Sequence, residues 1–260
     1  MKKGLEKIKK IVRDGYAKAL LQNTSCCSAG SCSCGTDQAK NISKKVGYSD
    51  AEISAVPEGA NLGFGCGNPV AIAALREGDV VLDLGSGAGF DVFLAAQKVG
   101  KTGRVIGVDM TPEMIAKARE NAGKGNYANV EFRLGEIEKL PMEDVSVDAV
   151  ISNCVINLSP DKQAVFNEAY RVLKLGGKLL VSDLVLAKDL PEKNKDSIEA
   201  YVGCLAGAVM KDEYLKLITK AGFEDVLVVS ESNYPVDAMF DNFEGALDAI
   251  ASIKVSAVRR

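Results

Sequence analysis

The apolar residues of this chain fall into two rhythms. Short unbroken runs occur at Val80-Val81-Leu82-Asp83-Leu84, Val105-Ile106-Gly107-Val108 and Ala149-Val150-Ile151, with a further strand at residues 178–182. Runs of that length, apolar on both faces, predict buried strands of a parallel sheet. Between them the period lengthens. Phe90 to Val99, the stretch opened by Thr111-Pro112-Glu113, and Lys162 to Leu173 read as helices. Thr111 stands at an N-cap and Pro112 at the first helical position. Strands alternating with helices predict an α/β, doubly wound, Rossmann-like sheet.

The flanks extend this frame. Gly4 to Leu21 carries apolar residues at Leu5, Ile8, Ile11, Val12 and Leu20 with lysines between, an amphipathic helix. Asn41 to Val56 reads as one short helix around a capping box of Ser49 and Glu52. Residues 57–69 hold too many glycines and prolines for regular structure, and Val70 to Leu75 resumes as helix. After β-type segments at 130–134 and 147–152, Gly176-Gly177 reads as the turn before the fifth strand. A charged loop at 189–195, a helix carrying Tyr201 to Ala208 and a helix at 212–221 follow. Strands at 226–229 and 253–258 close the chain as a hairpin-like pair.

Composition narrows the chemistry. At 260 residues the chain can hold one large domain, or a domain with a cap. A net charge of −3 offers no global attraction for nucleic acid, so no nucleic-acid partner is expected. No apolar run approaches the ~20 residues of a membrane helix, and the N-terminus lacks a signal-peptide core. The expectation is a cytoplasmic protein with no membrane partner. There is no histidine, which removes the usual general base and every Ser-His or Cys-His arrangement. There are seven cysteines, which in an intracellular chain point to redox, metal or catalytic work. Any chemistry must run on thiolates, on carboxylates, or on a substrate that needs no deprotonation.

The first strand breaks into Gly85-Ser86-Gly87-Ala88-Gly89 before a helix. Such a turn leaves backbone N–H groups bare for a ligand. A dinucleotide fingerprint has a glycine at its sixth place; this chain has Phe90 there, and an acid, Asp83, two residues before the first glycine. The stretch resembles the first motif of the class I S-adenosylmethionine methyltransferases. The resemblance implies a seven-stranded methyltransferase sheet with an N-terminal arm and an inserted substrate cap, and a loop facing the amino-acid end of S-adenosylmethionine. The expected cofactor contacts are Asp83, Gly85, Ser86 and Gly87 in this turn. Asp109, ending the second strand, is expected on the ribose hydroxyls, with Met110 on the adenine face. Glu136 is expected on the adenine amino group, the backbone of Ile137 beside it, and Asn153 at the end of the fourth strand completes the set.

Three cysteines sit in separate glycine-rich or strand-end contexts: Cys66, Cys154 and Cys204. Thiolates converging opposite a methyl donor would suit a thiophilic centre. Gly65-Cys66-Gly67-Asn68-Pro69, Ser152 to Pro160 and Tyr201 to Ala208 resemble signature segments of the arsenite S-adenosylmethionine methyltransferases. That resemblance implies that Cys66, Cys154 and Cys204 bind As(III) as thiolates. It also implies a disulfide between Cys66 and an arm cysteine, with Cys26, Cys27, Cys32 and Cys34 all candidates. Phe64 stands where the family often has tyrosine. Sulfur-held As(III) keeps a lone pair, so methylation requires no proton removal, which accords with the missing histidine. Arsenite and methylarsenite are the expected substrates, with glutathione or thioredoxin as the thiol reductant. The expected division is an arm over 1–75, a cofactor-binding core over 76–186, and an arsenic-site insertion with the closing strands over 187–260. Two rival readings use the same residues: a C- or O-methyltransferase of a quinone-like molecule, and a non-catalytic thiol protein that binds metalloids.

Overall fold

The structure, a computed structural model, describes residues 2–21, 36–188, 207–233 and 249–260. Seven strands form one sheet in the order β3-β2-β1-β4-β5-β7-β6. They are β1 (Val80–Leu84), β2 (Arg104–Asp109), β3 (Val130–Leu134), β4 (Val147–Asn153), β5 (Leu173–Leu186), β6 (Glu224–Asn233) and β7 (Ile250–Val258). The first five run parallel, and β7 inserts antiparallel between β5 and β6. The expected seven strands and closing antiparallel pair are therefore present. The β1 strand is central, and its last three residues are fully or nearly fully buried, as its unbroken apolar run requires.

Helices α1 (Lys2–Leu21), α2 (Thr36–Lys45), α3 (Asp50–Ser54) and α4 (Pro69–Ile72) precede the sheet. Helices α5 (Phe90–Val99), α6 (Pro112–Lys124), α7 (Lys162–Val172) and α8 (Lys211–Lys220) pack on its faces. One face buries Phe93, Ala95, Val99 and Ile115; the other buries Phe166, Val172, Tyr214 and Ile218. A third apolar cluster lies beyond the strand ends, where Val12 of α1 meets Cys66, Cys154, Leu158, Leu184 and Ile250. Both cysteines thus sit where the N-terminal helix closes on the carboxyl end of the sheet.

Three local expectations change. The predicted single helix over 41–56 is two helices, parted at Gly47, whose φ of 107° continues no right-handed helix. The capping box at its second start is present, with Ser49 and Glu52 exchanging both bonds. The helix expected over 70–75 closes at Ile72, with Pro69 at its first turn. The fifth strand runs from Leu173 to Leu186, not 178–182. Gly176-Gly177 does not end the strand. It bulges, with the register to β4 jumping between Val147 and Ala149, while Gly176 and Gly177 pair with Arg259. The helix expected over 201–208 lies, except for its last two residues, outside the described residues, as do Cys204 and the four arm cysteines.

Candidate active site

The carboxyl ends of β1, β2 and β4 open into a cleft holding about 1190 Å³ of space that includes open solvent. Its floor is the glycine turn. Gly85 sits at φ 66°, and a Cβ there would run into Val155. Gly87 is left-handed at φ 51°, yet nothing lies within 4 Å of where its Cβ would be. Space is therefore open beside Gly87, although its N–H is engaged by Asp109. Beside it the Ser86 hydroxyl is buried with no hydrogen-bond partner among the described residues. That oxygen lies against Gly107 of β2, 2.6 Å from where a Cβ there would stand, so the serine also fixes how closely the turn packs on the second strand.

Asp109 ties this turn to the second strand. Its Oδ2 accepts from the Gly87 N–H at 3.0 Å and its Oδ1 from the Thr111 N–H at 2.8 Å. Thr111 takes the N-cap position of α6 but makes no side-chain cap bond; the aspartate satisfies its amide instead. Each Asp109 oxygen retains a lone pair for a hydroxyl donor.

Four acidic residues line the cleft, and three of them, Asp83, Asp91 and Asp109, are buried. Burial pushes Asp83 well above the usual carboxylate range, and the neighbouring Asp91 and Asp109 push it further. Burial also raises Asp109, against the opposing pull of the Thr111 and Gly87 amides. Asp91 rises to about 6 through burial, against hydrogen bonds from Tyr48 and Asn153. Lys9 of α1 is the single Lys or Arg among the described residues lining the cleft. Its Nζ is already engaged by Glu136 at 2.7 Å and Glu138 at 3.2 Å. Buried acids without a basic partner are costly, and a cationic ligand would offset that cost.

The thiols stand on the far side. Strand β4 ends at Asn153, and Cys154 follows at φ 57°, a left-handed conformation that a non-glycine residue rarely adopts. Its N–H donates to the Ser182 carbonyl of β5 at 2.8 Å. Cys66 reaches the same place from the irregular segment before α4. Its flanking glycines are required by close approach. A Cβ on Gly65 would meet the Asn153 amide at 2.8 Å, and one on Gly67 would overlap the Ser182 hydroxyl. The Cys66 carbonyl accepts from Ser252 of β7 at 2.7 Å. The donor atoms of Cys66, Cys154 and Asp183 all lie within 4.8 Å of one another, and all three residues are buried.

Asn153 joins the two halves. Its Oδ1 accepts from the Cys66 N–H at 3.1 Å. Its Nδ2 lies within donating distance of the Tyr48 hydroxyl and the Gly67 carbonyl, both at 2.8 Å, and of Asp91 at 3.0 Å. The Tyr48 hydroxyl donates to Asp91 at 2.6 Å. One amide therefore links the cysteine loop to the start of α5.

Of the residues expected from sequence, Asp83, Gly85, Ser86, Gly87, Asp109, Met110, Ile137, Asn153 and Cys154 all line the cleft. Cys66 lies behind that wall, beside Cys154. Glu136 is not among the lining residues; its half-exposed carboxylate faces Lys9, and Glu138 lines the cleft instead. Cys204 lies outside the described residues. Sequence reasoning assigned no role to Asp91, Tyr48 or Asp183. Asp91 adjoins the glycine turn, so position alone could have marked it, and Asp183 is an acid within the apolar run of β5.

The sheet order, the glycine turn after β1 and the acid ending β2 define a Rossmann-like methyltransferase domain, and residues 75–222 match the family profile described as "Methyltransferase domain". The arsenite methyltransferase of Halobacterium salinarum is 49% identical over 228 residues, covering 85% of this chain and 58% of that protein. The human arsenite methyltransferase is 42% identical over 169 residues, covering 62% of this chain and 44% of that protein. A crystal structure of the arsenic(III) S-adenosylmethionine methyltransferase of Chlamydomonas reinhardtii superposes with a TM-score of 0.66 at 35% identity, covering 84% of this chain and 73% of that one. The chain belongs to the arsenite methyltransferase family. It spans less than two thirds of the length of the curated relatives it matches.

Proposed function

We propose that this chain methylates trivalent arsenic held by cysteine thiolates, with S-adenosylmethionine as the methyl donor. The observation that carries the reading is the meeting of Cys66 and Cys154, from segments 88 residues apart, beside a glycine-floored acidic cleft. Bound S-adenosylmethionine would supply a sulfonium-activated methyl group to the lone pair of the sulfur-held arsenic. Asp83 and Asp91 would face its positive charge, the glycine turn from Gly85 to Gly89 would lie along its polar end, and Asp109 would accept from its ribose hydroxyls. Cys66 and Cys154 would hold the arsenic, with Cys204 as third thiolate. Soft sulfur donors match a thiophilic centre, and no general base is needed because no proton leaves arsenic.

Alignment is the principal contribution expected of the residues, worth up to ~7–11 kcal/mol in well-oriented systems. Methyl transfer leaves arsenic pentavalent. Two cysteine thiols would return two electrons to it and become a disulfide, which an external thiol, glutathione or thioredoxin, reduces again. The arm cysteines would serve that exchange, and the role would be arsenic detoxification in the cytoplasm. Among the described residues no helix is long and apolar enough to cross a membrane.

The test is to incubate the full chain with S-adenosylmethionine, arsenite and either thiol. Methylated arsenic is expected. Absence of any methylated product, with S-adenosylmethionine binding shown by calorimetry, overturns the reading and favours the non-catalytic metalloid-binding alternative.

A further inference from the structure

The Asp183 carboxylate is held by more than its burial. Its Oδ1 accepts from Asn157 Nδ2 and from the Leu184 N–H, both at 2.9 Å, and its Oδ2 accepts from the Tyr214 hydroxyl at 3.0 Å. A carboxylate offers about four lone-pair sites. One of its oxygens also lies within 4.8 Å of both the Cys66 and Cys154 sulfurs. Asp183 is wholly buried, as are Asn157 and Tyr214.

We propose that Cys66, Cys154 and Asp183 form a binding site for a thiophilic divalent cation of the zinc and cadmium class. Three donors within 4.8 Å of one another place a central ion at most about 2.8 Å from each, and a contraction of about half an ångström reaches the ~2.3 Å of a zinc–thiolate bond. The donor set, two sulfurs and one oxygen, is one that zinc accepts. Asn157, Leu184 and Tyr214 supply the outer hydrogen bonds that fix a ligating carboxylate's orientation. Cys154 lines the cleft, so a fourth position can be filled by water or by a small thiol. On binding, each thiol releases its proton to solvent, and Asp183, which burial raises to about 7, releases whatever proton it holds and ligates as the anion.

The carboxylate is what separates this site from the arsenic site. Trivalent arsenic is neutralised by three thiolates and gains nothing from a hard oxygen donor. A divalent cation has only two thiolates here and needs the third donor. The two sites share Cys66 and Cys154, so the cation and the arsenical exclude one another. A divalent cation is therefore a competitive inhibitor with respect to arsenite, while the acidic half of the cleft is left untouched. Cation binding itself does not depend on the methyltransferase reading, since it is measured without arsenite or S-adenosylmethionine.

The test uses the full-length reduced chain with Cys26, Cys27, Cys32, Cys34 and Cys204 replaced by serine. It is titrated with Cd²⁺, and the thiolate-to-cadmium charge-transfer band is followed in the ultraviolet. One Cd²⁺ per chain is expected. Cys66→Ser in that background should remove the band. Asp183→Asn should leave the band intensity but weaken binding by at least ~10-fold. Should Asp183→Asn fail to fold by circular dichroism, Tyr214→Phe decides, with a several-fold loss expected. The proposal is overturned if the five-serine chain binds no Cd²⁺ saturably, or if the carboxylate variants bind as tightly as their parent. Cd²⁺ binding without arsenic methylation would sink only the proposed function. Methylation without Cd²⁺ binding would sink only the cation site.

Discussion

The two walls of the cleft are built from opposite chemistry. On one side Asp83, Asp91 and Asp109 gather oxygen, buried and short of cations. On the other Cys154 presents sulfur, with Cys66 and Asp183 behind it. Both use the carboxyl ends of the same sheet, where parallel strands leave their ligand-binding crevice. The oxygen wall is assembled from residues at or next to strand ends, within about thirty residues of sequence. The sulfur wall needs a loop before the sheet, the end of β4 and the middle of β5. The contrast teaches that the acidic side is conferred locally by the scaffold, while the thiol side is made by long-range closure. Asn153 is the seam, bonded to the Cys66 amide on one side and to Asp91 on the other.

Breaking one wall should spare the other. Cys154→Ser is expected to have the largest effect, lowering arsenic methylation by at least ~100-fold through lost alignment of the acceptor. Calorimetry should show S-adenosylmethionine affinity nearly unchanged, and a parallel loss would mean the walls are not separate. Asp109→Ala is the converse. It removes two charge-assisted hydrogen bonds and the proposed ribose acceptor, and S-adenosylmethionine affinity should fall by ~10–100-fold, at about 1.5–3 kcal/mol for the bonds to a charged group. Thiol titration with arsenite should be unaffected.

Asn153→Ala tests the seam. A turnover loss of about 10-fold is expected with both affinities within ~3-fold of the parent, because the halves persist but lose their mutual placement. Equal losses in affinity would instead make Asn153 a plain ligand contact. The smallest effect is on pH. Burial raises Asp91 to about 6, so below that pH it is protonated and neutral in the empty cleft. A cation favours the ionised form, so S-adenosylmethionine binding should release protons and tighten several-fold as pH rises from about 5 to 7. For the empty protein the sign is reversed. The folded state holds this proton more tightly than the unfolded chain, so stability from Asp91 is present below the unfolded value and lost as pH rises through about 6. Asp91→Asn should flatten both profiles, read by calorimetry and thermal melting across that range.

The strands, the glycine turn and the Ser49–Glu52 capping box were legible because each depends on neighbours in sequence: apolar period, backbone sterics and a three-residue spacing. Where local cues were read too literally, tertiary pairing overrode them. Gly176-Gly177 has the composition of a turn, yet Arg259, just past β7, bonds both glycines, and β7 pairs β5 from Lys178 onward, so they become a bulge within the strand. The lack of histidine and the glycines around Cys66 pointed to thiols as chemistry candidates, and the structure brings Cys66 and Cys154 together, but the sequence did not point to their neighbours. No spacing announces that Lys9 reaches Glu136 across 127 residues, or that Tyr214 donates to Asp183.

The chain by itself therefore determined an alternating β/α frame, a glycine turn with an acid on either side, and a stock of cysteines with no histidine to share their work. Only the tertiary structure decided that Cys66 and Cys154 meet, that Asp183 stands with them, and that α1 closes over the cleft. The physical reason is range. A strand or a cap is chosen by sterics and hydrogen bonds within a few residues, whereas a site of converging side chains exists only once sheet register and twist have brought distant segments within a few ångströms.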